Sequence, residues 1–146
     1  VRLILALMAA NLSANSDLPD SWYHAFEQIE SAGDPRAIGD GKKARGLFQF
    51  HSACWEDVSK LRKAQGLPVY PFTKATNEWV AREYARTWIP HVHKLLTSRI
   101  GRPATAAETW LAFNLGMTGF KRYKYQLALV PGPKYDKAIC IHNLTR

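Results

Sequence analysis

The 146-residue chain is 47% hydrophobic and 22% charged, a balance that supports one domain with its own core and leaves too little chain for a second. Its formal net charge of +8 favours anionic partners. The basic residues are dispersed, at Lys42, Lys43 and Arg45, at Lys60, Arg62 and Lys63, and at Lys121, Arg122 and Lys124. They do not form the continuous basic helix or stripe of a nucleic-acid-binding protein.

The chain begins with Arg2, an apolar run over 3–10 and the small residues Ala14-Asn15-Ser16. Residues 1–16 read as a short signal peptide, with a first helix packed on the core as the alternative. The run is too short for a permanent bilayer anchor, and no other stretch comes close. The remaining domain is 17–146.

Pro19, Asp20 and Ser21 form a helix start, with Asp20 or Ser21 able to cap the first amides. Trp22, Phe26 and Ile29 then recur at helical spacing with Ala25 beside them, a stripe that faces a core. At 100° per residue Glu30 falls on the stripe's border near Tyr23 and Phe26, Glu27 points further toward solvent, and His24 and Gln28 lie opposite. A half-buried Glu30 at the negative end of the helix dipole has its charged form disfavoured, which raises its pKa toward the range of a general acid. The alternative is a helix-end glutamate paired with a surface lysine.

Gly33-Asp34-Pro35 ends this helix. Residues 36–38 and 44–46 flank Gly39-Asp40-Gly41, whose Asp-Gly pair marks a tight turn, so a small β-hairpin or β-like loop is expected. Gly46 permits close backbone approach. Gln49 offers donor and acceptor for a ligand or for positioning Glu30. A second helix runs from a Ser52 cap to about Gln65, with Cys54, Val58 and Leu61 inward and Gly66 ending it.

The loop 67–73 carries Tyr70 and Phe72, for which local packing is the favoured role. A long helix opens at Thr76 or Asn77, with Val80, Tyr84 and Trp88 on one side, and Pro90 is expected to kink or break it. His91 and His93 fall on different helix faces and make a poor metal pair. Thr105 and Glu108 form a capping box. In the helix that follows, Ala107, Trp110, Leu111 and Asn114 share a face, and an amide on an apolar face needs a partner. Gly116 and Gly119 redirect the chain. Residues 120–130 then read as another helix, which Pro131-Gly132-Pro133 breaks before a last segment carrying Tyr135. Cys54 and Cys140 have no metal-ligand spacing; a disulfide and a buried free thiol at Cys54 both remain open.

Three segments carry a resemblance: Glu30-Ser31, then Gly46-Leu47-Phe48-Gln49, then Ala112-Phe113-Asn114-Leu115-Gly116. In order and rough spacing they resemble the signature segments of lytic transglycosylases of the lysozyme-like superfamily, with Phe48 in place of the usual Met and Phe113 in place of the usual Tyr. The resemblance runs from about Trp22 to Arg122. It implies a mainly α (α+β) lysozyme-like fold whose small β-hairpin lobe walls a sugar-binding cleft. It also implies cleavage of peptidoglycan between N-acetylmuramic acid and N-acetylglucosamine, with Glu30 as acid and then base. Ser31, Gln49, Asn114 and the backbone around Phe48 would contact substrate, joined by Tyr135 from the C-terminal part. No metal or cofactor is implied. The expected partner is the glycan strand, for a monomer in the periplasm or outside the cell. One rival is a goose-type-like lysozyme using Asp34 or Asp40 as a second carboxylate, although both are better explained as turn residues. Another is a non-catalytic wall-binding module.

Overall fold

Asp20–Ser31 forms α1, which starts after Pro19 and ends where Ala32 and Gly33 take left-handed backbone angles. The computed structural model describes residues 17–146, so the expected leader at 1–16 lies outside the described residues. The expected caps are not made. Pro19 holds the N-cap position with no side-chain cap, and Asp20 instead pairs with Arg86 at 3.1 Å. The buried face of α1 carries Tyr23, Ala25, Phe26 and Glu27, while Trp22, Ile29 and Glu30 are half-buried. Glu27 is thus buried, not turned to solvent as its helical position suggests. The guanidinium of Arg82 donates to both of its oxygens, at 2.8 and 3.3 Å, and removes the cost of enclosing the charge.

The chain next makes a minimal antiparallel sheet, β1 (Ile38–Gly39) with β2 (Ala44–Arg45), in which Ile38 faces Arg45 and Gly39 faces Ala44. Asp40, Gly41 and Lys42 all have positive φ in the turn, as the Asp-Gly pair requires. Arg45 also bridges to Phe50. Gly46 has φ +80°, and a Cβ there would sit 1.9 Å from the carbonyl oxygen of Ala75, so the lobe docks on the body through a position open to glycine.

Helix α2 (Ser52–Ala64) begins one residue after an uncapped His51, and Gly66 reverses the chain beyond it at φ +72°. Its inward residues are Trp55, Val58 and Arg62, whereas Cys54 and Leu61 are half-buried. Arg62 is 2% exposed and donates to the carbonyls of Pro68 and Glu83 and to the Thr87 hydroxyl, which tie the 67–73 loop to the helix that follows it. The loop aromatics pack locally: Phe72 lies against Trp55, and Tyr70 meets Trp79 edge-on.

Helix α3 (Glu78–Ile100) is capped by Asn77, whose side chain accepts from the Val80 amide at 3.0 Å, and it runs uninterrupted through Pro90. The expected break does not occur. Burial of Ala85, Ile89, Val92 and Leu96 on either side of the proline offsets its cost of about 3 kcal/mol. The imidazole of His91 packs on Trp88 while that of His93 meets Trp22 and the Ala104 carbonyl, so the two diverge.

Helix α4 (Ala106–Lys121) opens with the Thr105–Glu108 capping box and is buried all round from Ala106 to Ala112, as a central helix must be. Gly116 interrupts it at φ 74° and ψ 161°. The helix expected over 120–130 is absent beyond Lys121: Lys124 and Tyr125 take positive φ, and a 3₁₀ turn spans Leu127–Leu129. Folding back lets Tyr125 meet Phe120 edge-on and buries Val130, contacts a straight helix would forgo. A helix follows where none was expected, α5 (Gly132–Leu144), with Pro133 in its first turn and Ala138 and Ile141 buried. It packs on both α1 and α4.

The molecule is therefore mainly helical, with one two-stranded sheet among the described residues. Its core runs from Phe26 and Phe50 through Trp55, stacked on Tyr84 with centroids 3.7 Å apart, to Trp110 and Leu111. Cys54 and Cys140 are free thiols, and burial pushes the Cys54 thiol up to about 12. No helix among the described residues is long and apolar enough to cross a membrane.

Candidate active site

Where α1, α4 and α5 meet, Glu30 comes up against two N–H donors from one face of α4. Trp110 and Asn114 are four residues apart, so their side chains project together. Trp110 Nε1 donates to Glu30 Oε1 at 2.9 Å, and Asn114 Nδ2 donates to the same oxygen at 3.1 Å. Both bonds converge on Oε1. Oε2 receives no hydrogen bond among the described residues, and it is not one of the fully enclosed polar atoms lacking a partner. When the carboxyl is protonated its hydrogen therefore belongs on Oε2, the oxygen that accepts no hydrogen bond among the described residues.

The electrostatics have one dominant cause. Burial raises the Glu30 pKa above the ordinary carboxylate value. The hydrogen bonds from Asn114 and Trp110 and the charges of Lys137 and Lys134 pull it part of the way back. A group held between those influences can give a proton and take it back.

The structure brings Asn114 to Glu30 and adds Lys134, whose Nζ donates to Asn114 Oδ1. It does not bring the other expected side chains into hydrogen bonds with the acid. Ser31 Oγ donates back to the Glu27 carbonyl at 3.1 Å. Gln49, at φ 51°, donates from Nε2 to the carbonyls of Ala37 and Gly46, and its Oε1 occupies the space that a Cβ at Gly39 would need. Its amide therefore fastens the β lobe, and positioning Glu30 by hydrogen bond is not among its contacts. The Phe48 ring is fully buried and packs on Phe50, leaving its backbone for any cleft contact. Tyr135 is 37% exposed on α5, one residue beyond Lys134.

Asp34 and Asp40 are both engaged elsewhere. Asp34 Oδ1 accepts from the Arg36 amide at 2.9 Å in a local turn, and Asp40 pairs with His51 at 3.1 Å. The other buried carboxylates lack an acid's setting. Glu27 is neutralised by Arg82, beside a cavity of about 210 Å³ between Tyr23, Phe48 and Arg86. Glu108 borders a cavity of about 540 Å³; burial pushes its pKa up, but Arg102 and the Thr105 cap outweigh that and hold it below the ordinary value. No group of three or more His, Cys, Asp or Glu among the described residues is placed to hold a metal ion.

Trp110, Lys134 and Lys137 were not legible as site residues. Trp110 reads as core because its ring is core, and its donor role shows in the sequence as the four-residue spacing to Asn114. The lysines come from a helix that the glycine and prolines at 131–133 conceal. Compared with known proteins, the chain matches no protein-family model and no curated protein.

Proposed function

We propose that this protein is a peptidoglycan lytic transglycosylase with a lysozyme-like fold, in which Glu30 serves as both acid and base. The observation that carries the reading is the clamp on Glu30: one oxygen held by Trp110 and Asn114, the other free, in a carboxyl whose protonated form is favoured by burial. The segment resemblance supplies the substrate, the β-1,4 bond between N-acetylmuramic acid and N-acetylglucosamine.

Protonated Glu30 gives its Oε2 proton to the glycosidic oxygen as the C1–O bond breaks through an oxocarbenium-like state. The resulting carboxylate is stabilised by the N–H donors already aimed at Oε1, which need no rearrangement at that moment. It then takes the proton of the muramic acid C6 hydroxyl, whose oxygen bonds to C1 and closes a 1,6-anhydro ring. Glu30 is protonated again, and no water is consumed. The hydrolytic alternative needs a second carboxylate to activate water, and the engagement of Asp34 and Asp40 speaks against it. Such a substrate puts a monomeric enzyme in the cell envelope, acting on glycan strands.

The test is release of soluble fragments from purified peptidoglycan. Wild-type protein and Glu27→Gln should release them and Glu30→Gln should not. Equal release by both Glu30→Gln and wild type would remove the proposal.

A further inference from the structure

We infer that Lys134 is a positioning residue for Glu30: its ammonium on Asn114 Oδ1 fixes the amide so that Nδ2 faces the acid, which leaves Oε2 as the proton-bearing oxygen. An asparagine amide has two ends of nearly equal shape and opposite hydrogen-bonding character. Against a carboxylate the NH₂ end is favoured. Against a protonated carboxyl the carbonyl end is equally acceptable, because it can receive the acid's own proton. An unrestrained Asn114 would therefore turn over on protonation and draw the proton inward at Oε1, away from any substrate.

Lys134 blocks that turn. A lysine ammonium can only donate, so the end it touches must be Oδ1. Rotating the amide would set its NH₂ against the ammonium and lose both bonds. Trp110, also a donor without acceptor capacity, reinforces the arrangement from the other side of Oε1.

The place of Lys134 also fits poorly with a role in the helix alone. It lies in the first turn of α5, where the helix dipole disfavours a cation. The groups acting on Glu30 are Trp110 and Asn114 from α4 and Lys134 and Lys137 from α5. On its own helix Glu27 is turned away to Arg82. Lys137, one turn on from Lys134, acts on the acid by charge and makes no bond to Asn114, which separates the two lysines experimentally.

The catalytic consequence rests on the proposed function, but the proton's position can be measured without substrate. Isotope-labelled full-length protein would be titrated by NMR, following the Glu30 carboxyl carbon and the Asn114 side-chain NH₂ together in wild type, Lys134→Met, Lys134→Arg and Lys137→Met. The wild-type Asn114 NH₂ resonances should move with the Glu30 titration. In Lys134→Met the freed amide turns over on protonation, so its NH₂ resonances should move further across the Glu30 titration than in wild type; Lys134→Arg should restore the wild-type response, and Lys137→Met should keep it while raising the Glu30 midpoint through charge loss. A Lys134→Met protein whose Asn114 NH₂ tracks Glu30 as in wild type would overturn the inference and reduce Lys134 to a nearby charge. The enlarged response in Lys134→Met, together with a folded wild-type protein that releases nothing from peptidoglycan, would instead uphold Lys134 and overturn the proposed function.

Discussion

Replacing Glu30 by glutamine should remove activity and make the protein more stable at neutral pH. Gln imitates the protonated acid: its carbonyl oxygen can accept from Trp110 and Asn114 as Oε1 does, and its NH₂ takes the place of protonated Oε2. What it lacks is the charge. The folded-state pKa of Glu30 lies above its ordinary value of 4.5, chiefly through burial. The folded protein thus binds more protons than the unfolded chain between those two values, and stability falls as pH rises through that window. Below the ordinary value the penalty vanishes; above the raised value it is complete. Each tenfold by which burial raises the proton affinity of the folded state is worth about 1.4 kcal/mol of strain in the charged form, so Glu30→Gln should melt at a higher temperature than wild type at neutral pH. Thermal melts of both proteins from acid to neutral pH would read this as a gap that opens with rising pH. Equal or lower stability of Glu30→Gln at neutral pH, or a gap that persists unchanged in acid, would refute the assignment of Glu30 as a carboxylate under desolvation strain.

Glu27→Gln should behave in the opposite way. It loses the charged partner of Arg82 and costs about 2 kcal/mol by denaturant titration, less than a fully buried pair because Arg82 is 44% exposed, while fragment release is retained. Gly46→Ala, which sets a Cβ 1.9 Å from the Ala75 oxygen at a positive φ, should cost about 3 kcal/mol in the same titration. Asp34→Asn and Asp40→Asn should leave the initial rate of fragment release nearly unchanged. A loss of about 10²–10⁴-fold in either would identify a catalytic base and turn the enzyme into a hydrolase.

Several local signals hold, although the caps expected at Asp20 or Ser21 and at Ser52 are not made, and long-range contacts are the harder part to read. The Thr105–Glu108 box, the Asn77 boundary and the Asp40-Gly41 turn each act within a few residues, and each stands where the sequence places it. That Glu30 and Asn114 share a site is the expectation carried by three short segments in order; that Asn114 bonds the acid itself is not, since the expected role of its amide is to contact substrate. Glu27 is buried, against its helical position, because its burial depends on Arg82, 55 residues away, and amphipathic spacing carries no record of that partner. Pro90 fails to break α3 for the same reason: the side chains that hold the helix together pack against other helices. The 120–130 segment shows the converse error, where helical composition lost to the burial of Tyr125 and Val130. Helix α5 announced itself only by Pro133 near its start and by Ala138 and Ile141 three residues apart. With it went Lys134, and with Lys134 the outer half of the site.

The most direct test of the central claim is mass spectrometry of the fragments that wild-type protein and Glu30→Gln release from purified peptidoglycan. The account predicts muropeptides ending in 1,6-anhydro-muramic acid from wild type and none from Glu30→Gln. Fragments heavier by one water would contradict the single-carboxylate mechanism, and anhydro products that persist in Glu30→Gln would contradict Glu30 as the acid.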